Sequence, residues 1–127
     1  SVRLRARAVK APARFSEAEV GAGFHAYDAE CVMCHGAPGV AREPWVSGLT
    51  PTPPFLIDSA RRWDAAQLYW IVGEGVKMTA MPAWRTTQTS NDIWNLVAFL
   101  EVLPDLSPAD YARMRVADRR RQPRASP

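Results

Sequence analysis

Cys31-Val32-Met33-Cys34-His35 is the stretch whose residue types and spacing would do chemistry together. Two thiols with two residues between them, followed at once by an imidazole, form the C-x-x-C-H arrangement that attaches c-type haem. On a single helical turn both thiols reach the vinyl groups of one porphyrin and become thioethers. The next side chain then aims its imidazole at the iron from the same side. Two other chemistries use closely spaced cysteines. A thioredoxin-like redox pair wants a βαβ setting, which the sequence pattern lacks. A zinc site wants a fourth ligand, and His25 is the only other histidine. Cys31 and Cys34 are the only cysteines, so haem attachment would leave none for a disulfide.

An iron held by one histidine takes a sixth ligand, a water or a gas. A soft thioether sulfur suits low-spin iron and raises its potential, which favours electron transfer. The run from Val76 to Trp84 contains two methionines, Met78 and Met81. Met81 precedes Pro82, whose fixed backbone angle and missing N–H would stiffen an extended ligand loop, and this favours Met81. Met78 reads better as a space-filling side chain. Met33, between the cysteines, is too constrained to bend back to the iron. His25, six residues before Cys31, falls off the inner face and reads as solvent-exposed. The second ring N–H of His35 calls for a backbone carbonyl that fixes its tautomer, and Pro44, nine residues on, is the candidate. Trp45 and Trp84 are placed to offer indole N–H groups to a propionate. Arg85 is a further propionate partner, although a solvated arginine is the plainer reading.

Three main helices must position these groups. Ser16-Glu17-Ala18-Glu19 is a capping box that opens a helix from Glu17 to about Cys31, with Val20, Phe24 and Tyr27 on its inner face. Gly23 lies inside it, where glycine costs about 1 kcal/mol against alanine, so a close helix crossing is expected there. Asp64 to Gln67 gives a second capping signal. A second helix runs from Ala65 to about Val72, with Leu68, Ile71 and Val72 inward, and is stopped by Gly73 and Gly75. Thr89 or Ser90 caps a third, reading Ile93, Trp94, Leu96, Val97, Phe99, Leu100 and Leu103 before Pro104; it is apolar on most faces and should be well buried. Between the first two helices, residues 36–62 form a long loop with five prolines. So long a loop in a small domain needs something to wrap. A haem edge is such an object, with Trp45, Leu49, Phe55 and Leu56 as apolar anchors.

The chain of 127 residues is one domain's worth, and 47% apolar content is ordinary for a packed fold. Its net charge of +3 hides an asymmetry. Residues 1–14 carry five basic residues and no acid, residues 111–127 carry six arginines against Asp118, and residues 15–110 carry 5 basic and 12 acidic residues, a net of −7. The organisation expected is a basic linker or arm over 1–14, a haem domain over 15–106, and a C-terminal extension over 107–127. In that extension Ser107-Pro108 opens a short helical turn to about Met114, followed by a basic disordered tail after Val116. The basic ends suit an anionic membrane surface or partner, and the acidic body a basic docking patch. No segment is long and apolar enough to span a bilayer. The start at Ser1, without Met, leaves room for a removed leader or anchor.

With these residues in view, the chain resembles the class I cytochromes c, specifically the small single-haem bacterial type. The resemblance covers about Val20 to Leu103. It rests on Gly23 and Tyr27 ahead of the Cys31-to-His35 motif, on Met81-Pro82-Ala83-Trp84, and on Ile93 to Leu100. It implies an all-α cytochrome c fold, with long loops wrapped around one covalently attached haem. The first and last helices would cross near-perpendicularly, with Leu96 and Phe99 meeting Gly23 and Tyr27. It implies thioethers at Cys31 and Cys34, axial ligands His35 and Met81, and a periplasmic location. The Gly73-to-Trp84 run also looks like a bacterial subgroup often tethered by an N-terminal membrane helix. The expected function is one-electron transfer between redox partners, with no residue acting as acid, base or nucleophile. The alternatives are a haem subunit bound to a dehydrogenase or terminal oxidase, and a ligand-binding or peroxidase-like haem protein. The last is disfavoured because no second His or Arg is evidently placed to handle peroxide.

Overall fold

A computed structural model describes residues 1–123. The fold is all-α, and no strand occurs among the described residues. Seven helices follow in order: α1 (Val2–Arg5), α2 (Glu17–Glu30), α3 (Val32–His35), α4 (Leu56–Ser59), α5 (Ala65–Glu74), α6 (Ser90–Val102) and α7 (Pro108–Arg121). Short 3-10 turns punctuate the loops.

The longer helices begin where the sequence says they should. Ser16, Asp64, Thr89 and Ser107 each accept a hydrogen bond from the backbone N–H three residues on, and each reciprocal side chain returns to the cap. These capping boxes satisfy backbone donors that a helix start leaves unpaired. The second helix overruns its expected end. Gly73 lies inside α5, which continues to Glu74, and Gly75 alone closes it with φ of 70°.

The core sits where α2 packs across α6. A Cβ on Gly23 would lie 1.8 Å from the Asn95 carbonyl oxygen and 2.9 Å from the Phe99 Cβ. Glycine is therefore required there because the two backbones touch. Phe24 and Tyr27 meet Phe99 with ring centroids 5.6 and 5.1 Å apart. Phe99 thus fills its expected role. At Gly23 the nearest backbone contact is Asn95, and Leu96 lines the cavity described below together with Tyr27. The rest of α6 is as buried as its pattern predicts, from Ile93 through Val97 to Leu100.

Three expectations are corrected. Residues 1–14 do not form a plain extended arm. Ser1 caps α1, Ala6 in the following turn is buried, and this segment packs on α5. The C-terminal turn does not stop near Met114, nor does the chain lose order after Val116. α7 continues to Arg121 because Ser107 and Asp110 cap its start, arginines fill its last turn, and Tyr111 is 1% exposed between Phe24 and Phe99. Basic side chains there complement the helix dipole. The remainder of the expected tail, residues 124–127, lies outside the described residues. Of the expected loop anchors, Leu56 packs against the core and lines the cavity, but Trp45 and Phe55 are 57% and 48% exposed, and Val46 is fully buried instead. The 3-10 turn from Pro44 to Gly48 is too short for its three-residue period to show which neighbour turns inward.

Candidate haem-binding site

One cavity of about 350 Å³ collects most of the residues singled out by their chemistry. Cys31, Cys34 and His35 line it from the α2–α3 junction, and Met81, Pro82 and Trp84 line it from the loop after α5. Val72, Leu96, Leu100 and Leu56 complete an almost wholly apolar lining that is partly open to solvent. Pro44, Trp45, Met78, His25 and Arg85 are not part of it.

The attachment turn is built by the end of α2. Cys31 ends α2 and starts α3, donating its backbone N–H to the Tyr27 carbonyl at 2.9 Å. His35 and Gly36 close the turn with bonds to the Cys31 and Val32 carbonyls. Gly36 has φ of 67°, the left-handed region that glycine enters at little cost. The buried Tyr27 hydroxyl donates to the Gly36 carbonyl at 2.6 Å and ties the turn back to α2.

His35 is oriented by a carbonyl, but not the expected one. Its Nδ1 lies 2.8 Å from the Pro54 carbonyl, while Pro44 is exposed on a separate 3-10 turn. A proline-rich loop cannot use all its carbonyls internally, because its prolines donate nothing. Pro54, nineteen residues from His35, is thereby free to accept. Such a partner sets the tautomer and leaves Nε2 unprotonated, with its lone pair free to bind a metal. Burial pulls the His35 pKa down; the Pro54 bond opposes this and nearby Arg42 adds to it. The Cys31 thiol is pushed up to about 12 by burial, helped by Glu30 and Cys34. Neither alternative use of the cysteines gains support. There is no strand for a thioredoxin-like setting, and no three His, Cys, Asp or Glu residues are placed to hold a metal among the described residues.

Arg42 was missed by sequence reasoning. It donates to the Pro53 carbonyl at 2.9 Å and lies 4.3 Å from the centre of the Phe55 ring, stapling the loop segment that holds Pro54. Nothing local marks it, because its partners lie eleven and thirteen residues away.

The loop after α5 divides the two methionines. Gly75 has φ of 70°, and a Cβ there would meet the Pro82 backbone at 2.8 Å, so the returning loop passes directly against the helix end. Thr79 donates its hydroxyl to the Val76 carbonyl and accepts from the Met81 N–H at 3.2 Å. Met81 is thereby turned into the cavity. Met78, with φ of 62°, is 97% exposed. Trp84 lines the cavity, Trp45 does not, and Arg85 pairs with Glu74 at 2.7 Å. His25 is exposed as expected, though its Nδ1 meets Asp118 of α7 at 2.9 Å.

Helices that touch at Gly23, an attachment turn and an apolar cavity that gathers both cysteines, the histidine and a methionine define a class I cytochrome c domain. Residues 18–100 match the family of cytochrome C oxidase, cbb3-type, subunit III, and the chain belongs to it. No individual curated protein matches the chain. The family carries covalently bound haem c, and its general role is haem-based electron transfer. The apolar cavity beside Cys31, Cys34 and His35 fits that group. Cytochrome c domains are typically extracytoplasmic, and among the described residues no helix is long and apolar enough to cross a membrane.

Proposed function

We propose that the protein is a single-haem electron carrier with His35 and Met81 as axial ligands and thioethers at Cys31 and Cys34. Haem bound there supplies a one-electron couple at neutral pH. The observation that carries the reading is the shared cavity: both cysteines, His35 and Met81 line one apolar space, although Met81 comes from a loop some fifty residues away in sequence. The chain's own residues then do four things. Cys31 and Cys34 fix the group covalently. The Pro54 carbonyl holds His35 in one tautomer. The Thr79 turn presents the Met81 sulfur. Apolar side chains from α5 and α6 exclude water, which keeps the surroundings rigid as the charge changes and favours the thioether ligand. No acid, base or nucleophile is assigned, and the protein is read as a carrier, not an enzyme.

The family description favours a second, compatible placement: a haem subunit feeding a terminal oxidase complex. A periplasmic position follows from either reading, with the basic 1–14 segment directed to an anionic membrane surface or partner. The carrier reading is tested on the purified protein. Covalent haem should persist on a denaturing gel, be lost when Cys31 and Cys34 are both replaced by alanine, and titrate potentiometrically as one reversible electron. Rapid cyanide or CO binding to the resting protein would instead support the ligand-binding alternative.

A further inference from the structure

Helix α7 lies beyond the region matched to the family, yet it grips both flanks of the attachment turn. Three residues before Cys31, Asp28 Oδ1 accepts from the Tyr111 hydroxyl at 2.8 Å and from Arg115 Nε and an Arg115 terminal nitrogen at 3.0 and 2.9 Å. One carboxylate oxygen thus takes three donors from two residues of α7. The Tyr111 ring is packed 5.1 Å from Phe24, so the hydroxyl is delivered by a buried side chain. Pro108, at the start of α7, seats against the turn that follows His35: a Cβ on Gly39 would lie 2.9 Å from its Cβ. A turn braced at only one end can still pivot. Here α7 touches the chain on both sides of Cys31 to His35.

We infer that α7 is the strut of the haem-attachment turn, with Tyr111 and Arg115 acting through Asp28 as positioning residues for Cys31, Cys34 and His35. The inference rests on the haem assignment made above. Arg113 provides the internal contrast: it sits on the same helix and pairs only with Asp110 of that helix. Charge-assisted contacts of the Asp28 kind are worth enough that their loss opens a local segment roughly ten- to a hundredfold more often.

The test is amide hydrogen exchange on the intact haem-loaded chain. The probes are the Cys31, Cys34, His35 and Gly36 amides, each bonded within the turn or to Tyr27. In the double variant Tyr111→Phe, Arg115→Ala these amides should exchange roughly ten- to a hundredfold faster, while amides of α5 keep their rates. Arg113→Ala should leave all of them unchanged. If the double variant does not accumulate, Arg115→Ala alone carries the same comparison. Unchanged turn amides, or equal acceleration across α5 and α6, would overturn the strut and leave α7 as general ballast. Absence of covalent haem in the wild type would overturn the assignment of the site instead, and is read on a gel independently of the amides.

Discussion

The two sides of the cavity are built by opposite means. On the attachment side, α2 and α3 place Cys31, Cys34 and His35 by helical geometry, locked where Gly23 meets α6 and where Tyr27 ties back to Gly36. On the other side, irregular chain places Met81 and Pro54 through turns, a left-handed glycine and single hydrogen bonds. The helical side is close-packed and cooperative, so one added methyl group should be felt through the whole domain. The loop side is held contact by contact, so its perturbations should stay local.

The largest effect should come from the crossing. Gly23→Ala drives a methyl group into the Asn95 carbonyl, which backbone can relieve only by separating α2 from α6. A loss of about 3 kcal/mol is expected by urea unfolding of the haem-loaded protein, at the upper end for an overpacked core. Near-normal stability would mean that the helices do not meet there. Next, Tyr27→Phe keeps the packing against Phe99 but orphans the Gly36 carbonyl, and should cost about 2 kcal/mol in the same assay. Gly75→Ala tests the other side. Its left-handed backbone and contact with Pro82 predict a loss of about 1–2 kcal/mol, accompanied by weaker methionine ligation with Gly23 contacts intact.

Protons sharpen the same contrast. Burial, first among the causes, pushes the Tyr27 and Tyr111 phenols well above their ordinary 10.0. The folded chain therefore keeps protons that the unfolded chain releases at high pH. Their contribution is fully present below pH 10.0 and is lost as the pH rises past it. Each buried phenol should steepen the alkaline fall in stability by up to about 1.4 kcal/mol per pH unit. In the Tyr111→Phe variant the fall between about pH 10 and about pH 11 should be shallower than in the wild type; an unchanged slope would mean that Tyr111 titrates normally. The smallest effect should be Met78→Ala: a 97% exposed side chain should change stability by less than about 0.5 kcal/mol.

The same division explains what was legible in the sequence. Helix periodicity and caps placed α2, α5 and α6, and Gly23 could be read as a crossing because glycine inside a strong helix needs a reason. Loop contacts obey no period. Pro44 and Pro54 are equally good carbonyl donors of a lone pair on paper, and only the path of the chain brings Pro54 to His35. Val46, and not its neighbour Trp45, turns inward for the same reason. The tail misled differently. Its composition is that of a solvated segment, but one tyrosine and one arginine reaching Asp28 were enough to anchor a helix. Such long-range partners leave no local signature.

The central claim is that Met81, and not Met78, closes the iron opposite His35. The ferric near-infrared spectrum tests it most directly, through the weak sulfur-to-iron charge-transfer band. The band should be present in the wild type, retained in Met78→Ala and abolished in Met81→Ala. A wild type without the band, or a band that survives Met81→Ala, would contradict the account.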